Sequence, residues 1–249
     1  MYNVGGWYPA IIPGNARIIG ELYKVHENDM ASIDMLEGEG SLYIRKCEIT
    51  TDNDLAYIYE YAQNIEGLDK IDSWKEYIWY VSYGSNMLEE RFLTYIEGGC
   101  FEDGGSENEP CYDTTAPLEK RAIDIPYDMY FGNYSGSWHG CGVSFLDTSK
   151  KGHALGVAYL ITLDQFEHVA AEENCGRFPN GQGEWYEDII DLGEIDGIEM
   201  HTITNNKMRD YNEPCEEYLN TLKRGIRENW SEMSEEDIEN YLDSCIREF

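Results

Sequence analysis

Ile78-Trp79-Tyr80-Val81-Ser82-Tyr83 is an apolar and aromatic run that stops abruptly at Gly84-Ser85-Asn86, after which Met87–Tyr95 carries helical spacing. An unbroken run of large β-branched and aromatic residues reads as a strand. A strand that turns through Gly-Ser-Asn into a helix leaves the first amides of that helix without intrahelical acceptors, at the positive end of its dipole. Such a turn suits a carboxylate or a developing oxyanion. Ser and Asn are also ordinary helix caps, so the turn alone does not separate a binding loop from a plain cap.

Further out, two stretches share a pattern. Gly20-Glu21-Leu22-Tyr23-Lys24-Val25 reads as a strand, followed by Met30, Ile33 and Leu36 at near-helical spacing behind an Asp29 cap. Gly156-Val157-Ala158-Tyr159-Leu160-Ile161 reads as a strand too, and Thr162 or Asp164 caps a helix carrying Phe166, Val169 and Ala170. Gly20 to Glu37 and Gly156 to Glu173 each span 17 residues, as a repeated strand–helix–glutamate unit requires. Each helix is followed by two strands: Leu42–Ile49 and Leu55–Tyr61, then Trp185–Leu192 and Ile198–Thr204. Gln63–Lys75 is polar and aperiodic and marks a boundary. Gly98–Pro110 reads as a loop, and Pro214–Asn229 and Ser234–Cys245 as two helices, the second behind a capping sequence.

Composition narrows the function classes. Lys+Arg number 18 against 49 Asp+Glu, a net charge of −31, which repels phosphate backbones and anionic lipid heads and sets the chain against nucleic acid and membrane surfaces as partners. The acids are spread along the chain, as on a solvated surface. No stretch approaches 18 uncharged apolar residues, and the N-terminus lacks an export signal, so a cytoplasmic location is expected. The seven cysteines include no C-x-x-C pair, and five scattered histidines form no H-E-x-x-H. Neither a disulfide framework nor a metal site is expected.

Tyr83-Gly84-Ser85-Asn86 after an aromatic strand resembles the Y-G-S-N signature of the gamma-glutamylcyclotransferase family. Gly132-Asn133 with Trp138-His139-Gly140-Cys141-Gly142, Gly156 through Glu173, and Trp185-Tyr186-Glu187-Asp188-Ile189 resemble further segments of that family in the same order. The first half is similar to the shorter AIG2-like branch: Gly6-Trp7-Tyr8-Pro9-Ala10 resembles its G-Y-P-A segment, Ile33-Asp34-Met35-Leu36-Glu37-Gly38 its L-D-x-x-E-G helix end, and Tyr43-x-Arg45 its next strand. That half has no Y-G-T or Y-G-S loop. Either the chain is truncated at its N-terminus or this domain has lost its anion loop, which leaves Glu37 a second-site acid without a partner.

The resemblance implies an α+β protein of two tandem mixed β-barrels with packed helices: residues 1–70, AIG2-like and incomplete, and 76–249, with C-terminal helices. It implies an enzyme, acyltransferase or cyclising lyase, that releases 5-oxoproline and an amine or amino acid from a small gamma-glutamyl substrate. The substrate's alpha-amine attacks its own gamma-carbonyl, so no cofactor is expected. Glu173 is the implied general acid/base, with Glu172 in reserve. Tyr83, Gly84, Ser85, Asn86 and Tyr186 are the implied substrate-binding residues. Cys141 and Asn174 stand where relatives carry glycine. The alternatives are a non-catalytic module that binds gamma-glutamyl or carboxylate ligands, and a scaffold whose halves pair with each other.

Overall fold

Ala154–Thr162 is buried at every position, the mark of a strand covered on both faces, where apolar residues run on instead of alternating. Around it the computed structural model describes residues 1–4, 8–14, 22–50, 54–70, 76–102, 104 and 107–246, in two compact units, Met1–Glu76 and Tyr77–Phe249.

The described part of the first unit holds β1 (Tyr2–Val4), β2 (Tyr8–Ala10), α1 (Met30–Glu37), β3 (Tyr43–Ile49), β4 (Leu55–Tyr61) and β5 (Asp69–Lys70). β1 lies between β2 and β5, and β3 pairs with β4 in a separate antiparallel ribbon. Helix α1 ends on Gly38 in the left-handed conformation, whose amide closes on the Asp34 and Met35 carbonyls. Asp34 accepts from the Tyr59 hydroxyl at 2.6 Å and pairs with Arg45 at 3.0 Å. Ala10 and Tyr43 are the buried apolar residues among those described here. Leu22–Val25 form no strand, and Leu22, Tyr23 and Val25 are exposed. Gly20, Glu21, Gly6 and Trp7 lie outside the described residues.

The second unit runs β6 (Tyr77–Ser82), α2 (Glu89–Glu97), β7 (Glu119–Ile125), β8 (Asp128–Ser135), β9 (Cys141–Asp147), β10 (Ala154–Thr162), α3 (Leu163–Glu173), β11 (Asp188–Ile195), β12 (Ile198–Thr204), α4 (Glu216–Asn229) and α5 (Glu235–Cys245). Its sheet has the order β11-β12-β6-β10-β7, antiparallel except where β12 runs parallel to β6. Helices α2 and α3 cover one face: Phe92 of α2 stacks 4.1 Å from Tyr159 and 5.6 Å from Tyr80, and Phe166 of α3 lies tilted 6.0 Å from Tyr80. Thr162 caps α3 in a reciprocal pair with Gln165.

The expected barrel is not there. Among the described residues no sheet closes: β7 and β11 are the free ends of an open five-stranded sheet, and β8 pairs with β9 in a ribbon of its own. β8 follows β7 after only Pro126 and Tyr127, yet its ladder is spent on β9 from Asp128 to Ser135. The mixed α+β class stands, with several open sheets and packed helices in place of closure.

Candidate active site

The strand–turn–helix of the opening motif is resolved into parts. β6 ends at Ser82, Ser85–Met87 form a single 3-10 turn, and Leu88 breaks the path before α2 begins at Glu89. The turn is pinned from two sides: the Tyr159 hydroxyl on β10 donates to the Asn86 carbonyl at 2.9 Å, and the Asn229 amide on α4 donates to the Met87 carbonyl at 3.0 Å. α4 approaches so closely that a Cβ on Gly225 would stand 2.7 Å from the Leu88 nitrogen.

Beside this turn opens a concavity of about 310 Å³, mouth included, lined by Tyr80, Tyr83, Gly84, Ser85, Asn86 and Glu173 on one side and Ser144, Tyr186, Ile203 and Tyr218 on the other. Glu173, at the last position of α3, is half-buried, and its Oε1 accepts from Asn86 Nδ2 at 2.5 Å. Asn86 is 2% exposed, and its Oδ1 has no hydrogen-bond partner. An orphaned buried acceptor beside a carboxyl is a costly arrangement for a resting protein and a ready one for an N–H donor.

The opposite wall is a hydrogen-bonded frame. The Tyr218 hydroxyl accepts from the Ser144 amide and bonds the Ser144 hydroxyl, both at 3.0 Å, while the Tyr186 hydroxyl donates to the Ser144 carbonyl at 3.0 Å. Tyr83 donates across the sheet to the Ile203 carbonyl at 2.8 Å. Gly84 faces this wall: a Cβ there would meet the Tyr218 hydroxyl at 3.1 Å. β11 begins only at Asp188, because Glu187 turns inward to take Arg177 at 3.1 Å and the Asn180 amide at 3.4 Å, leaving Tyr186 in the wall.

Burial pushes the Glu173 carboxyl above its ordinary value of 4.5, opposed by the Arg91 charge and by hydrogen bonds from Tyr95 and Asn86, with Glu172 adding to the rise. Burial also lifts Tyr83, Tyr95 and Tyr186 well above 10.0 and Tyr218 to about 12. The phenols are therefore neutral beside a carboxyl whose charged form is disfavoured.

Of the residues singled out in the sequence, Tyr83, Gly84, Ser85, Asn86, Glu173 and Tyr186 line the one concavity. Glu37 does not; it is exposed on the first unit. The left-handed residues near the departures from the family pattern are His139 and Gly140, then Cys175 and Gly176, so neither Cys141 nor Asn174 carries the strain a lost glycine would bring. Sequence reading missed Tyr80, Arg91, Tyr95, Ser144 and Tyr218. One signal was available: Arg91 shares the stripe Leu88, Phe92, Tyr95 and Ile96, a cation on the apolar face of α2. Ser144 and Tyr218 have no local signal.

A family model described as gamma-glutamyl cyclotransferase, AIG2-like, matches residues 1–77. The gamma-glutamylcyclotransferase family protein ytfP of Citrobacter rodentium is 37% identical over 73 residues, covering 29% of this chain and 62% of that protein. The similarity to gamma-glutamylcyclotransferase family proteins is thus at low identity and over under a third of the chain. Histone deacetylase 5 of Arabidopsis thaliana is 28% identical over 205 residues, 68% of this chain and 31% of that protein. The chain thus spans about three-fifths of the length of the first of these two proteins and about a third of the second. A solved gamma-glutamyl cyclotransferase superposes with a TM-score of 0.42 at 19% identity, over 67% of this chain and 87% of its own. The family model covers the first unit, whereas the concavity belongs to the second. Among the described residues no helix is long and apolar enough to cross a membrane.

Proposed function

We propose that the second unit, Tyr77–Phe249, is a gamma-glutamylcyclotransferase-type enzyme that converts a gamma-glutamyl amide or dipeptide into 5-oxoproline and a free amine or amino acid. The observation that carries this reading is the bond between Glu173 and Asn86 of the Gly84–Asn86 turn at the edge of a shared concavity. The substrate's alpha-amine adds to its own gamma-carbonyl, a carbon–nitrogen bond forms, and the gamma-amide carbon–nitrogen bond breaks. Glu173 takes the proton from the attacking nitrogen and returns it to the leaving nitrogen. The amides of Gly84, Ser85 and Asn86 hold the alpha-carboxylate or the oxyanion, worth about 3 kcal/mol per well-placed donor. Asn86 Oδ1, without a partner, accepts from the alpha-amine. Tyr83 and Tyr186 spend their hydrogens on backbone carbonyls and so act as wall and acceptors. Holding amine and carbonyl together supplies up to about 10 kcal/mol, and the acid/base a factor of about 100 to 10,000.

Release of 5-oxoproline from a panel of gamma-glutamyl amines and dipeptides tests this. Glu173→Gln is expected to lower kcat by about 100- to 10,000-fold. Wild type and variant equally inert, with a gamma-glutamyl ligand still bound, would sink the enzyme reading and leave a binding module.

A further inference from the structure

Ser144 interrupts a buried, largely apolar strand, β9, and lies on the wall of the concavity at 1% exposure. Its amide donates to the Tyr218 hydroxyl oxygen, its carbonyl accepts from Tyr186, and its own hydroxyl bonds Tyr218, each at 3.0 Å. Tyr218 has no room to turn away, because its ring packs edge-on against Trp138 at 4.9 Å and Phe131 at 6.3 Å.

These bonds leave one hydrogen over. Ser144 and Tyr218 bring two hydroxyl hydrogens, and the bond between them uses one. The Ser144 amide can only donate, so it fills an acceptor position on the Tyr218 oxygen. Of the two hydroxyls the phenol is the more acidic and the better donor, and the serine oxygen is the better acceptor. Tyr218 therefore donates to Ser144 Oγ, and the serine hydrogen has no acceptor among the described residues. A buried donor in that state lacks a bond it would make in water.

Gly84 shows where that bond can form. A Cβ on Gly84 would lie 3.5 Å from the Ser144 Cβ and 3.8 Å from its Oγ. The serine hydroxyl thus stands across from the first residue of the turn, whereas Glu173 is bonded at Asn86, the last. The lining holds no Lys, Arg or His, and Glu173 is its one charged side chain. An anionic group that enters is held by neutral donors or not at all. A carboxylate offers about four acceptor positions, more than the amides of Gly84, Ser85 and Asn86 fill.

We propose that Ser144 is a further substrate-binding residue, whose hydroxyl, oriented by Tyr218, donates to the alpha-carboxylate of the substrate from the wall opposite the Gly84–Asn86 turn. The assignment rests on the gamma-glutamyl reading of this site. The alpha-carboxylate keeps its charge throughout the proposed reaction, so the bond serves ground state and transition state alike and acts on KM, not on kcat.

Calorimetric binding of two small probes to the full chain tests this: 5-oxoproline, which carries the former alpha-carboxylate, and its neutral carboxamide. Wild type is expected to take the acid more tightly than the amide. Ser144→Ala should weaken the acid about 10- to 100-fold and the amide by less than about threefold. Ser144→Cys, close in shape with a weak S–H donor, is expected to show the same selective loss and decides the matter where the alanine variant does not fold. In turnover, Ser144→Ala raises KM by about 10- to 100-fold and leaves kcat within about threefold. Wild type without a preference for the acid, or a loss in Ser144→Ala that is equal for acid and amide, would overturn the proposal. Selective acid binding with no 5-oxoproline released from any gamma-glutamyl compound would sink the proposed reaction and leave Ser144 its carboxylate.

Discussion

At Gly84 the backbone is extended, with φ −109° and ψ −150°, so the residue is required by space and not by conformation. The Tyr218 hydroxyl, 3.1 Å from where a Cβ would stand, is held by two bonds to Ser144 and has nowhere to retreat. Gly84→Ala is expected to push Tyr218 and Ser144 off the wall, lowering 5-oxoproline release at least tenfold while stability falls by about 1 kcal/mol. Turnover and thermal melts on the same protein check it; unchanged turnover would show the wall to be soft. Glu173 and Asn86 illustrate how much single residues told in advance. Their residue types and order were readable, but their meeting depends on α3 ending where the turn begins, which no spacing within either segment encodes.

Elements were more legible than their assembly. The apolar runs of β6 and β10 announced strands, and Thr162 and Ser234 announced α3 and α5 through their capping chemistry. β11 was expected to start at Trp185, yet Glu187 leaves the strand face to bind Arg177, a contact made across a loop. Closure into a barrel was expected from resemblance, and it fails because β8 prefers β9, a choice between partners that alternation of side chains cannot make. The seat of α4 is equally non-local. A Cβ on Gly225 would fall 2.7 Å from the Leu88 nitrogen and 2.9 Å from the Met87 carbonyl carbon, both backbone atoms that cannot swing away. Gly225→Ala is expected to cost about 1–3 kcal/mol, seen as a lower urea midpoint at unchanged slope. An unshifted midpoint would mean that the helix slides freely over the turn.

For the whole molecule, −31 charges on 249 residues make self-repulsion a standing load on the folded state. Raising NaCl from 20 to 300 mM shortens the screening length to below about 10 Å, and the melting temperature is expected to rise by about 2–4 °C for each kcal/mol recovered. A fall would mean that local pairs such as Lys120 with Glu89 and Glu228 outweigh the global repulsion. Composition alone foretold this, since it needs no knowledge of topology.

The middle of the five-stranded sheet has a timing built into it. β6 has β10 as one neighbour and β12 as the other, and both are made long after it. While the chain is being synthesised, at about 5–20 residues per second, Ile78–Ser82 emerge with both hydrogen-bonding edges bare and wait several seconds for Ala154–Thr162 to reach them. A nascent polypeptide of this design carries its stickiest segment uncovered through much of its birth, so the cell's folding helpers have a defined window and a defined address.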